Sequence, residues 1–338
     1  MEAQLSCWTG KAYIAIYLKP GEDRSKAERA IMTSIENARN CAEKKQSGRY
    51  DTFDVAVTIV EGCMDDEPYR INYLRNVALL ETRRQHLRFN SSLDKLAVLI
   101  VDVDFRSSSN LYDTVHSGSA VESILKQRRV IVCPAFESTN DNHAQTVTSL
   151  RVFVEARQAG GSIFRISLKV RPQLCSTSFG RNHWSVRGNP PTNTGKRATK
   201  YIIMVSADVP LYDERFQGYG LNKVSHLATV AAHKGEQFFV LPGVFLLASV
   251  YERSESWSNR YGTRSDDETK FNQLVLKGLY YNFMKNLEDG NGPIVSKNTK
   301  SKERLLLLQE RESKRKDAES KSTQIDTVLY PTKSLLCY

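Results

Sequence analysis

Two carboxylates, Asp102 and Asp104, follow an apolar run, Leu96-Ala97-Val98-Leu99-Ile100-Val101. The run is short and shows no helical period, so it reads as a strand buried on both faces. An ionised carboxylate inside such a strand is costly unless paired. The aspartates are therefore expected where the strand leaves the core. Residues i and i+2 of a strand point to the same side. That sets two hard oxygen donors together at the carboxyl end of a sheet strand, where open α/β sheets bind ligands. Such a pair suits Mg²⁺ or Mn²⁺ held against a diphosphate. The pattern is short, and a strand ending in a plain polar turn would look the same.

The elements that would position this pair can be read along the chain. Residues 13–18 read as a first strand stopped by Pro20-Gly21, residues 25–44 as a helix, and residues 53–60 as a second strand. Residues 69–87 read as a helix with Pro68 at its start. Val130–Cys133 is a further strand stopped by Pro134. Strand and helix thus alternate through the first half. This predicts an α/β fold with a mostly parallel central sheet flanked by helices. Residues 175–200 read as a long polar loop, of a length that is often functional. Tyr201–Val205, Phe238–Val240 and residues 244–250 return to strand-like composition. Gly290-Asn291-Gly292-Pro293 closes the globular part, which gives a domain over residues 8–290. Residues 291–338 then read as a basic tail, either flexible or a solvated helix.

The 338 residues carry a net charge of +10, of which Lys297–Lys321 supplies +4 from nine basic and five acidic residues. The remaining excess favours anionic ligands such as nucleotides or acidic glycans. It is too scattered for nucleic acid, and neither an aromatic-basic RNA motif nor zinc-finger spacing is present. The six cysteines form no Cys-x-x-Cys pair, which argues against a structural zinc site. No signal-like leader or membrane-length apolar stretch is visible in this sequence.

Four segments stand in order: Leu74-Arg75-Asn76-Val77-Ala78, Asp102-Val103-Asp104-Phe105, Pro134-Ala135-Phe136-Glu137, and the long stretch from Tyr212 through Gly218-Tyr219-Gly220-Leu221-Asn222-Lys223 to His226. Together they resemble the glucuronyltransferase domain of the LARGE-type dystroglycan glycosyltransferases and the related β-1,4-glucuronyltransferase. Trp8-Thr9-Gly10, Pro191-Thr192-Asn193 and Val240-Leu241-Pro242 extend the resemblance to residues 8–285. It implies a GT-A fold and an inverting, metal-dependent transfer of glucuronic acid or a similar sugar from a UDP-sugar to a glycan acceptor. It also implies residence in the Golgi or secretory lumen. A cytoplasmic location is the alternative from this sequence alone.

The resemblance assigns roles residue by residue. Asp102 and Asp104 would carry Mn²⁺ or Mg²⁺. Arg75 and Asn76 would hold the uridine or ribose, with surface and helix-face positions as the plainer reading. Gly218, Tyr219, Gly220, Asn222 and Lys223 would line the donor site. An inverting transfer needs a base. Related GT-A enzymes place an acidic pair after the glycine segment, where this chain has Asn222-Lys223. The candidates for the base are therefore Asp213 and Glu214, with Glu137 as the alternative. Asp213 or Glu214 could equally be paired with Arg215 or Lys223. One departure stands out. The family's histidine-bearing segment, expected to supply a third metal ligand, is replaced here by Leu246-Leu247-Ala248-Ser249-Val250-Tyr251. The family's tryptophan before Asn-Lys is replaced by Leu221. A catalytically degenerate member that binds nucleotide or glycan is the competing reading.

Overall fold

The computed structural model describes residues 5, 8, 10–45, 55–62, 69–88, 92–102, 104–138, 164–166, 173–174, 184–185, 201–234, 238–241, 243–248 and 267–321. Most of the 175–200 stretch, Pro191-Thr192-Asn193, Val103, Pro242, Tyr251 and residues 322–338 lie outside them. The chain opens with strand β1 (Ala12–Leu18), helix α1 (Arg24–Lys45), strand β2 (Val55–Glu61) and helix α2 (Ile71–Arg88). Then come β3 (Ala97–Leu99), β4 (Phe105–Ser107), α3 (Leu111–Ser117), α4 (Ser119–Lys126), β5 (Val130–Cys133) and β6 (Ala135–Ser138). Short strands β7 (Phe164–Ile166), β8 (Gln173–Leu174) and β9 (Trp184–Ser185) precede β10 (Tyr201–Val205). Helix α5 (Asn222–Lys234), β11 (Phe238–Val240), β12 (Leu246–Ala248), α6 (Asp267–Glu288) and α7 (Lys297–Lys321) complete the order.

The strands form a parallel pair β1-β2, a six-stranded sheet β3-β10-β5-β11-β9-β8 and a four-stranded sheet β4-β12-β6-β7. Strands β3, β10 and β5 of the six-stranded sheet are buried on both faces, as their apolar runs require. Ala97, Leu99, Ile131, Cys133, Tyr201 and Ile203 join the core beneath α1, α3 and α4. Val98, Val130, Val132, Ile202 and Met204 point the other way, into a second core with Leu79 and Leu80 of α2 and Val230 of α5. Alternation along each strand therefore splits the apolar residues between two helical layers.

The α/β class stands, but the expectation of a mostly parallel sheet needs correction. Among the described residues three strand pairings are parallel and six antiparallel. β10 inserts antiparallel between β3 and β5. A strand buried on both faces has the same composition in either direction, so the apolar runs carry no sign of it. β3 is also shorter than expected, and it lies at one end of the hydrogen-bonded order rather than at its centre.

The segment after Gly292 packs more than its composition suggested. Helix α7 lies along α2, with Leu306 buried in the second core and Val295 packed against it. Thr299 and Glu310 are buried as well, and Lys314 pairs with Asp94 at 3.3 Å. A helix with few apolar residues can still dock when those few face one groove and its first turn is tied by hydrogen bonds. Leu306→Ala is therefore expected to destabilise the protein by about 2–5 kcal/mol. Deleting residues 292–338 should lower the urea midpoint at least as far. An unchanged midpoint in the deletion would show that α7 does not contribute to the fold.

Candidate donor site

Ile100 and Val101 remain buried after β3 ends, and the chain then turns outward at Asp102. The Asp102 carboxylate meets three groups from three different elements. Its Oδ1 accepts from Arg75 Nη2 of α2 at 2.8 Å. Its Oδ2 accepts from the Tyr201 hydroxyl, at the start of β10, at 3.2 Å. The same oxygen accepts from Lys223 Nζ, in the first turn of α5, and that ammonium also donates to the Tyr201 oxygen. Lys223 lies 4.1 Å from the Tyr201 ring centroid and 5.5 Å from that of Phe105, and the two rings pack at 4.7 Å. Asp102 keeps 28% of its side-chain surface exposed and Lys223 keeps 13%, so the cluster opens toward solvent.

The charges reinforce one another. Burial works against the Asp102 carboxylate, but Lys223 and Arg75 outweigh it and hold the carboxyl well below the usual range. Burial likewise opposes the charge on Arg75, and Asp102 reverses the balance so that its pKa rises. The Tyr201 phenol is pushed well up, first by burial and then by the negative charges of Asp102 and Asp104. Asp104, half-buried on the turn before β4, thus acts on the same phenol as Asp102. Asp102 bonds to Tyr201, and the charge of Asp104 reaches the same phenol, a residue that sequence reading did not single out. Its only signal was a tyrosine opening an apolar strand.

The other expected site residues fall into a second, structural set. Asn76 Oδ1 accepts from the Tyr212 N–H at 2.7 Å, and its Nδ2 donates to Tyr212 O and Glu214 Oε1. It therefore holds backbone rather than standing open to a nucleoside. Asn72 donates to Asp213 O at 2.8 Å and accepts from Arg75 at 3.0 Å. Asp213, with 1% of its side chain exposed, pairs with Arg215 and accepts the Ile294 N–H. Glu214 accepts from Asn76 and the Thr299 hydroxyl on one oxygen and from the Ser296 N–H on the other. Both carboxylates thus tie the entry of α7 to the body. Glu137 lies in β6, with its backbone in register between Arg165 and Ala248, and Ala248 is paired in turn with Phe105.

The glycine segment makes a tight turn into α5. Gly218 (φ 61°) and Gly220 (φ 117°) take backbone conformations that side chains disfavour. The Gly218 N–H donates to Tyr69 O at 2.7 Å, and Asn222 Nδ2 donates back to Gly218 O at 2.9 Å. Tyr219 is 40% exposed between them. Leu221 follows at φ 55°, uncommon for a residue with a branched side chain, and packs beside Phe216, Leu276 and Phe283. His226 is buried, stacked on Tyr212 at 3.8 Å, with Nε2 at 3.0 Å from Pro210 O.

The cluster does not suit a divalent ion. Both oxygens of Asp102 already accept from protein donors, and an ammonium stands on the face a cation would use. Among the described residues no group of three or more His, Cys, Asp and Glu side chains could hold a metal. Ala248, in the region of the family's histidines, is fully buried in β12.

Residues 34–283 match the family described as glycosyl-transferase for dystroglycan, and the chain belongs to that family. Among similar proteins, the xylosyl- and glucuronyltransferase LARGE2s of Gallus gallus is 25% identical over 248 residues, 73% of this chain and 29% of the relative. The xylosyl- and glucuronyltransferase LARGE2 of Mus musculus is 27% identical over 249 residues, 72% of this chain and 31% of the relative. The glycosyltransferase-like protein LARGE of Caenorhabditis elegans is 27% identical over 205 residues, 58% of this chain and 29% of the relative. The chain thus spans about 30% of the length of these curated relatives.

Two predictions follow from the buried charges. Asp102→Asn leaves Arg75 and Lys223 facing one another and should cost about 3–5 kcal/mol in urea unfolding at pH 7. A loss below about 1 kcal/mol would contradict the pairing. The Asp102 contribution is complete above the ordinary carboxylate pKa and is lost only as pH falls far below it. His226 behaves differently. Burial lowers its pKa from 6.5 to about 3, so the unfolded chain binds the proton first. Stability should therefore fall as pH drops from 6.5 toward 3, by up to about 1.4 kcal/mol per pH unit from this group. His226→Phe should flatten that limb in urea titrations between pH 7 and 4. An unchanged slope would contradict a buried neutral imidazole.

Proposed function

We propose that this chain is an inverting glycosyltransferase that moves glucuronic acid or a similar sugar from a UDP-sugar to a glycan acceptor, in the secretory pathway. The observation that carries this reading is the convergence of Asp102, Lys223 and Tyr201, with Asp104 beside them, at the mouth of the glycine turn. Two of the family's motifs meet there, one from the end of β3 and one from the start of α5. No helix among the described residues is long and apolar enough to cross a membrane.

Inversion needs a base opposite the leaving group to take the acceptor's proton. Asp213 and Glu214 spend their oxygens on Arg215, Asn76, Thr299 and backbone N–H groups. Of the three candidates this leaves Glu137, whose strand lies two places from β4 and so about 10 Å across the sheet from Phe105. Arg75 positions Asp102, and Asp102 in turn positions Lys223.

The test offers UDP-glucuronic acid and other UDP-sugars with acidic and neutral glycan acceptors, and reads the product's anomeric configuration. Transfer with inversion is expected. Glu137→Gln should lower kcat about 10²–10⁴-fold while leaving UDP affinity unchanged. Retention of configuration, or full activity in Glu137→Gln, would overturn the assignment. The second reading, a nucleotide- or glycan-binding member without turnover, is favoured by the three protein donors already on Asp102. It predicts UDP binding with no transfer to any acceptor.

A further inference from the structure

We propose that Lys223 takes the place of a divalent ion at the donor site, so that this chain holds the diphosphate of a nucleotide sugar without a metal. The inference rests on the nucleotide-sugar reading above and concerns how that ligand is held.

Three observations converge on Lys223. Its ammonium is fixed on Asp102 and Tyr201, the groups a metal would have to approach. A divalent ion beside that ammonium would be repelled, and it would have to compete with three protein donors already on Asp102. The third metal ligand that the family pattern supplies has no counterpart at Ala248, which is buried between β4 and β6. The remaining chemistry favours an anion. Arg75 and Lys223 offset Asp102 and Asp104 in formal charge. The positive end of α5, which has no acidic residue in its first turn, tips the balance. The glycine turn just before it carries exposed Tyr219 at the same mouth.

The transfer step balances without a metal. The bond from the sugar's anomeric carbon to the β-phosphate oxygen breaks, and its electron pair stays on that oxygen as UDP leaves. The acceptor oxygen bonds to the anomeric carbon, and its proton passes to the base. Lys223 meets the charge that grows on the leaving phosphate. Arg75, tied to Asn72 and Asp102 in the interior, is a positioning residue behind it.

The experiment is calorimetric titration of the full chain with UDP, in excess EDTA and in Mn²⁺, for wild type, Lys223→Met and Lys223→Arg. A thermal melt of each variant accompanies it. In the wild type the Kd should agree within about 3-fold between EDTA and Mn²⁺. Lys223→Met should weaken binding at least 10-fold in EDTA, and Lys223→Arg should restore most of it. The melts show whether Lys223→Met remains folded. If it does not, the wild-type comparison in EDTA still decides. Binding that appears only with Mn²⁺ overturns the inference and leaves the nucleotide-sugar reading standing. Binding in EDTA that Lys223→Met leaves intact also overturns it. Absence of UDP binding under both conditions, in a folded wild type, overturns the nucleotide-sugar reading itself.

Discussion

A guanidinium placed inside the protein must meet a carboxylate, and much of this structure follows from that requirement. Arg75 sits on the inner face of α2 with 5% of its surface exposed. Leaving it unpaired there would be prohibitive. Asp102 is the partner, and it can serve only because β3 stops at Leu99 and the next residues carry the chain to α2. One carboxylate between two cations then fixes the first turn of α5 through Lys223. The strand end, the helix behind it and the glycine turn in front are thus held by one shared charge.

Helix α2 extends this logic along its length. Asn72, Arg75, Asn76 and Arg83, at offsets of three, four and eleven from the first, lie on its buried face. Each grips backbone or side chains of the stretch from Ser206 to Glu214. Arg83 donates to Ser206 O and Val209 O, and burial lowers its pKa to about 10. Hydrogen bonds to backbone carbonyls satisfy its donors where water is excluded. A helix with so polar an inner face has weak amphipathic character. Its inward side is organised by hydrogen bonds as much as by apolar contact.

That polarity decides what could be read in advance. The apolar strands were legible, because alternation between two cores leaves them continuously apolar. The exit from the core at Asp102 was legible too, since a carboxylate after such a strand must emerge. The partners were not. Arg75 on a polar helix reads as a surface residue, and nothing local to Tyr201 or Lys223 points to Asp102, 99 and 121 residues away in sequence. Asp213 and Glu214 present the converse case. Two carboxylates before a glycine turn look available for chemistry, and one of the two open readings was pairing with Arg215. The structure shows that pairing for Asp213, whereas Glu214 goes to the entry of α7. The antiparallel insertion of β10 left no trace, since strand direction does not alter the burial pattern.

The tie between Glu214 and α7 gives the segment beyond the family-matched residues a physical bearing on the site. Thr299 and Asn76 donate to the same Glu214 oxygen at 2.7 and 2.9 Å. Asn76 is one residue from Arg75, and through the rigid backbone of α2 the two must move together. Loosening the entry of α7 would leave Glu214 short of two donors and free Asn76 from one of its three bonds. The carbonyl of Tyr212, whose ring lies under the Arg75 guanidinium at 5.3 Å, would then lose part of its anchorage. Thr299, some 200 residues later in the chain, is therefore separated from the Asp102 charge by three side chains, Glu214, Asn76 and Arg75. Its reach depends on stiffness rather than on distance, because Asn76 and Arg75 are buried and Glu214, half-buried, is bonded on both oxygens.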